Sequence, residues 1–148
     1  MSIKALREFV YNSIFGGVNK QSQPGAGIVV LRKFGNEFRV LCLQDGNTLD
    51  LTKGGMDAGE TRLQTAVRET FEESSIDELN FEWGLEPHYC RNIAMFVAWT
   101  SQDPEILPNP NNGEYEHAGA YWLSFDRAKS LVKPWLVPAI EYAENKVR

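Results

Sequence analysis

The chain has 148 residues, a formal charge of -5 from 15 basic and 20 acidic residues, and 43% hydrophobic composition. That length supports one domain, 1–148, burying roughly 70% of the surface its unfolded chain exposes, and that composition excludes a disordered chain. The acidic balance disfavours sequence-independent binding to nucleic acid or anionic lipid, and the longest apolar run, Ile93 to Trp99, is too short to span a membrane.

Lys4, Arg7 and Glu8 leave no room for a secretory apolar stretch, so a soluble, cytoplasmic protein is expected. Cys42 and Cys90 match no C-x-x-C spacing, and Cys42 lies inside the apolar run from Val40 to Leu43. Both are expected as buried free thiols.

Residues 2–15 place Ile3, Leu6, Phe9, Val10 and Ile14 at three- and four-residue spacings, which predicts a short amphipathic helix ended by Gly16-Gly17. Two strand-like runs follow, 26–32 and 37–44, joined around Gly35-Asn36 as a hairpin, with a turn at Asp45-Gly46-Asn47. Thr61 to Ser74 reads as a helix. Thr61 and Gln64 form a capping-box pattern, and Leu63, Ala66, Val67, Thr70 and Phe71 form an apolar stripe. Strand-like runs return at 81–85, 93–100 and 118–123. The proline- and asparagine-rich stretch 101–113 reads as a long surface loop, and helices are expected at 124–131 and about 138–147. Strands interleaved with helices argue for an α/β or α+β layered fold.

The chemistry concentrates between Gly54 and Ile76. On a helix Glu69, Glu72 and Glu73 stand at i, i+3 and i+4, three carboxylates on one face within a turn. Like charges so placed repel by roughly 0.2–0.5 kcal/mol per exposed pair, and a divalent cation removes the conflict. Only oxygen ligands are on offer, so the ion is hard: Mg2+, with Mn2+ as a substitute. Mg2+ commonly joins a few carboxylates to substrate phosphates, which points to phosphate chemistry. Taken alone the cluster also reads as a solvated acidic face. Gly54, Gly55 and Gly59 upstream change the weighting, because they allow close approach of a ligand and positive φ.

The spacing Gly54-x5-Glu60-x7-Arg68-Glu69-Thr70-x-Glu72-Glu73-x-Ser75-Ile76 resembles the Nudix box. Six matched positions at about one in twenty each make a chance match on the order of one in a million. Thr70 stands where the family has a bulky aliphatic residue, and Ser75 where it has its last glycine, a helix C-cap matter. The resemblance implies a Nudix-type α/β/α sandwich with a mixed sheet. It makes Glu72 and Glu73 metal ligands and Glu69 a further ligand or the base that activates water. It pairs Glu60 with Arg68 to brace loop against helix, lets the Lys53 carbonyl coordinate metal, and brings a further carboxylate from a later loop. Glu116, six residues before Trp122, takes that role, with Glu114 as the alternative.

Lys53, Gly54 and Gly55 are expected beside the phosphates, and Arg62, Arg91, Lys129 and Lys133 are scattered phosphate contacts or plain surface charges. Tyr89, Tyr115 and Tyr121 are available to stack on a nucleobase. Phe96, Trp99 and Trp122 read as core. His88 and His117 read as structural, His117 with more functional weight because it follows Glu116.

Glu116-His117 followed by Trp122-Leu123 is similar to the asymmetric diadenosine tetraphosphate hydrolase branch, and a small nucleotide, a dinucleoside polyphosphate first, is the implied substrate. The alternatives are a diphosphoinositol polyphosphate (Lys53-Gly54-Gly55-Met56), ADP-ribose or a nucleoside triphosphate, and a non-catalytic nucleotide-binding module. All four box carboxylates are retained, which favours the enzyme.

Overall fold

Gly25–Phe34 (β1) and Glu37–Asp45 (β2) form an antiparallel hairpin with Leu31 opposite Val40 and Phe34 opposite Glu37, and Gly35 takes φ +63° at its turn. This is a computed structural model, which describes residues 23–106, 108 and 117–148. The expected helix at 2–15 therefore lies outside the described residues, as do Glu114, Tyr115 and Glu116. The hairpin runs longer at both ends than the sequence pattern suggests.

Beyond the hairpin, β1 and β2 diverge. Thr48–Asp50 (β3) pairs with β2, and Thr52–Gly55 (β4) pairs with β1 on the edge that β2 has left. One bent segment thus wedges the sheet open. His88–Cys90 (β5) pairs antiparallel with Ile93–Trp99 (β6), which lies parallel to β1, and Ala120–Leu123 (β7) closes the other edge against β2. The sheet is mixed, with β7 and β5 at its outer edges.

Helix α1, Arg62–Ser74, covers one face, packing Ala66 against Ala26, Ile28, Val30, Leu41, Leu43, Ala94, Phe96 and Ala98. On the other face Val29, Leu31, Val40, Cys42, Met95 and Val97 meet Phe125–Leu131 (α2), a 3-10 turn at Pro134–Leu136 and Val137–Val147 (α3). This is an α+β sandwich of helices about a mixed sheet. Seven consecutive residues of β1 are buried because the strand is covered on both faces, so its sequence reads as a continuous apolar run.

Three expectations are corrected. The run 81–85 is a turn, not a strand: Gly84 N–H donates to the Phe81 carbonyl at 3.0 Å with Gly84 at φ +99°, and the strand begins at His88. Its apolar alternation is real but serves both layers, since Phe81 packs toward the α1 side and Trp83 toward the other. The strand expected from Ala118 starts at Ala120. The apolar stripe of α1 is also displaced: Val67 and Phe71 are exposed, and the buried face is Thr65, Ala66, Glu69, Thr70, Glu73 and Ser74.

That buried face is polar, so it needs partners. Thr70 finds one in Thr52, whose hydroxyl is 2.9 Å away and itself donates to the Ile28 carbonyl at 3.0 Å. The hydroxyl explains why Thr70 substitutes for an aliphatic residue. Ser75 caps the helix at φ +63°, and its hydroxyl donates to the Glu105 carbonyl at 2.8 Å while Glu105 N–H donates to the Ser74 carbonyl. Loop contacts thus offset the cost of a non-glycine residue in that conformation.

At the other end Thr61 and Gln64 form the expected reciprocal capping box. Thr61→Ala is expected to lower unfolding free energy by about 1 kcal/mol, read from denaturant midpoints. Cys42 and Cys90 are buried free thiols. Burial, reinforced by the charge of Asp50, pushes Cys42 up to about 12, so it stays protonated.

Candidate active site

The residues between Gly54 and Glu73 come together where β4 meets α1. Gly54 and Gly55 lie in a strand and do not use positive φ; only Gly59 of the three does, at +83°. Gly54 is needed for another reason. A Cβ there would stand 2.1–2.4 Å from the carboxylate of Glu69, so the missing side chain is the space in which Glu69 sits. Gly54→Ala is expected to displace Glu69, lowering turnover and melting temperature together in paired rate and thermal-melt measurements.

Arg68 organises the carboxylates. Its Nε donates to Glu60 Oε2 at 2.6 Å and Nη2 to Glu60 Oε1 at 2.8 Å, a bidentate fork, while Nη2 also donates to the Gly55 carbonyl at 3.0 Å. Nη1 turns the other way, to Glu69 Oε1 at 3.0 Å and to both Glu72 oxygens at 3.3 and 3.4 Å. One guanidinium thereby spans the loop, the strand and the helix. Glu60 Oε1 also accepts from the Asp57 amide at 2.8 Å and the Thr65 hydroxyl at 2.9 Å.

Burial alone would push the Glu60 carboxyl up, but the hydrogen bonds from Arg68, the Asp57 amide and Thr65, with the Arg68 charge, outweigh it and hold it down at about 2. Burial likewise opposes the Arg68 charge. The Glu60 hydrogen bond and the charges of Glu72, Asp57 and Glu60 overcome it and hold the guanidinium above its ordinary value.

The three glutamates differ in environment. Glu69 is 3% exposed and Glu73 9%, whereas Glu72 faces solvent. Glu73 Oε1 accepts the Lys53 backbone N–H at 2.8 Å, and its other oxygen lies 3.4 Å from Nε2 of buried His117. The repulsion expected of this cluster is thus relieved within the protein, by Arg68 between Glu69 and Glu72 and by an amide and a histidine on Glu73.

Among the described residues no three His, Cys, Asp or Glu side chains converge on a point that would hold an ion. The donor set still suits a hard cation, since Glu69, Glu72 and Glu73 share one helix and offer only oxygens. Glu72 is the most exposed of the three and its contacts to Arg68 are long, so it is the carboxylate easiest to redirect.

The Lys53 side chain is not with the carboxylates. Thr52 and Gly54 face α1, so Lys53 between them faces the other layer, where Nζ lies 3.2 Å from Asp50 and 5.4 Å from the Trp135 ring centre. Its backbone is what meets Glu73. Tyr89 lies opposite Ala94, which puts it on the α1 face at the β5 edge, while Tyr121 lies opposite Cys42 on the other face at the β7 edge. Both are exposed and they do not converge.

The scattered cations are committed within the fold: Arg62 to the Gly25 and Asn92 carbonyls at 2.7 Å, Arg91 over the Trp135 ring at 4.4 Å, Lys129 to Glu144, and Lys133 to Asp45 and Asp50. His88 stacks on Tyr142 at 5.4 Å. Sequence reading missed Thr65 and the Asp57 amide as partners of Glu60. Thr65 sits four residues after the capping Thr61, where a hydroxyl is commonly spent on its own helix backbone.

A family model described as the NUDIX domain matches residues 21–143, and the chain belongs to the Nudix family of pyrophosphohydrolases. Solved structures share the fold. An Ap4A hydrolase of C. elegans in a binary complex is similar at TM-score 0.66 and 19% identity, covering 84% of this chain and 97% of that one. The dihydroneopterin triphosphate pyrophosphohydrolase of E. coli is similar at TM-score 0.58 and 24% identity, covering 80% and 92%. The NUDIX domain of Shewanella oneidensis NrtR, complexed with ADP ribose, is similar at TM-score 0.60 and 12% identity, covering 92% and 97%. Comparison with curated proteins gives no match. Nudix hydrolases generally use divalent metals such as Mg2+, and among the described residues no helix is long and apolar enough to cross a membrane.

Proposed function

We propose that this single Nudix domain hydrolyses a dinucleoside polyphosphate such as diadenosine tetraphosphate, by attack of water on a phosphorus with loss of a nucleotide. Glu69, Glu72 and Glu73, with the Lys53 carbonyl and Glu116, are the groups that would hold Mg2+ or Mn2+. The ion, when bound, supplies charge neutralisation on the phosphates and lowers the pKa of a bound water.

The protein's own part is positional. Arg68 and Glu60 lock the glycine strand to the helix, so Glu69 is held at Gly54 before substrate arrives. Buried Glu69 is the residue to take the proton from the attacking water, and exposed Glu72, whose contacts to Arg68 are long, is the one to turn toward a cation. A base must be recognised by stacking at one of Tyr89, Tyr115 or Tyr121, for roughly 1–3 kcal/mol. Tyr89 and Tyr121 stand on opposite faces, so they do not grip one base together.

The observation that carries the hydrolase reading is the Arg68 fork that joins Glu60, Glu69, Glu72 and the Gly55 carbonyl. The dinucleoside preference is supported by His117-x4-Trp122-Leu123 and by the likeness in fold to an Ap4A hydrolase. A substrate panel with product identification tests it. Diadenosine tetraphosphate is expected to have the highest kcat/KM. Faster cleavage of ADP-ribose, a nucleoside triphosphate or a diphosphoinositol polyphosphate would overturn the substrate assignment.

A further inference from the structure

The α1 face of the sheet, which also meets the carboxylate helix, carries a second constellation that the hydrolytic residues do not use. Ile28 and Val30 face α1, and strand alternation carries Arg32 and Phe34 onto the same face. Arg39 lies directly opposite Arg32 on β2, and Trp122 lies opposite Leu41, again on that face. The Arg32 guanidinium is 5.4 Å and that of Arg39 4.8 Å from the Phe34 ring centre, and the Phe34 and Trp122 rings are 6.0 Å apart.

Two features of this group are unfavourable without a ligand. Like charges directly opposite in a sheet repel. Arg32 pairs with Asp103 and Arg39 lies 3.7 Å from Glu37, but those carboxylates are 77% and 58% exposed, so the pairs are screened. The indole N–H of Trp122 is buried and has no hydrogen-bond partner among the described residues. Two guanidinium forks, an aromatic surface and an unspent donor together match a nucleoside phosphate.

We propose that Arg32, Arg39, Phe34 and Trp122 seat the nucleotide at the end of the substrate remote from the cleaved bond. The phosphate lies between the two arginines, the base against Phe34, and the Trp122 N–H donates to a base or ribose acceptor. Arg32 is four residues along β1 from Ile28, the partner of Thr52 beside the glutamate helix, or roughly 13 Å at strand rise. A chain of several phosphates covers that distance and a mononucleotide does not. The inference rests on the dinucleoside reading of the substrate.

The test pairs steady-state kinetics on diadenosine tetraphosphate with equilibrium dialysis of AMP in chelator. Arg39→Gln is expected to raise KM about tenfold with kcat within about twofold, and to weaken AMP binding by a similar factor. Arg39→Lys, which keeps the charge without the fork, recovers part of the loss. Trp122→Phe raises KM a few-fold. Unchanged KM and AMP binding in folded Arg39→Gln overturns the seat, as does a fall in kcat at unchanged KM. If the wild type cleaves no dinucleotide, the substrate reading fails and the AMP dialysis alone decides the seat: binding weakened in Arg39→Gln upholds it, and equal binding removes it.

Discussion

Glu72→Gln is expected to slow hydrolysis roughly 10^2- to 10^3-fold, the scale of removing one group that stabilises charge in a transition state, with the melting temperature nearly unmoved. The separation follows from exposure. Glu72 meets Arg68 across a long i,i+4 contact, and such surface pairs are worth about 0.3–0.5 kcal/mol. Glu73→Gln differs, because buried Glu73 accepts the Lys53 amide and faces His117, so stability falls with activity by about 1–3 kcal/mol. Initial rates in Mg2+ beside thermal melts of both variants check this, and wild-type turnover in Glu72→Gln would contradict the role given to it.

Arg68→Ala is expected to cost about 3 kcal/mol of stability and nearly all activity, since it removes the charged donor shared by Glu60, Glu69 and the Gly55 carbonyl at once. Loss of one partner of a buried pair costs about 3–5 kcal/mol, reduced here because Arg68 and Glu60 keep about a fifth of their side-chain surface in water. The same pair sets an acid limit. Glu60 is held at about 2, below the usual carboxylate value of 4.5, so its contribution is fully present above that value and is lost as pH falls from 4.5 through 2. Denaturant midpoints across that range should drop less in Arg68→Ala than in the wild type. Equal slopes would mean the pair carries no pH-linked stability.

The Nudix box was legible because its chemistry fixes spacing: Glu60 and Arg68 must meet across a loop, and Glu69, Glu72 and Glu73 must share a helix. The capping box at Thr61 and the hairpin at Gly35 were legible for the same reason, being local. What failed to show was tertiary. β3 and β4 have no apolar alternation of their own, since a wedge between two diverging strands is defined by what it pairs with. The exposed Val67 and Phe71, against buried Thr70, invert the hydrophobic pattern because a site helix buries its polar residues toward Thr52 and Gly54. Lys53 was legible as a neighbour of the site but not as a residue whose side chain leaves it, which follows only from strand alternation in β4.

The proposed reaction is the asymmetric hydrolysis of a dinucleoside polyphosphate at this helix and glycine strand with a divalent ion. Diadenosine tetraphosphate incubated in 18O-water with Mg2+, followed by mass analysis of both products, tests it most directly. ATP and AMP with the label in a single product, and no turnover in excess chelator, are the expected result. Two ADP molecules, or undiminished turnover in chelator, would contradict it.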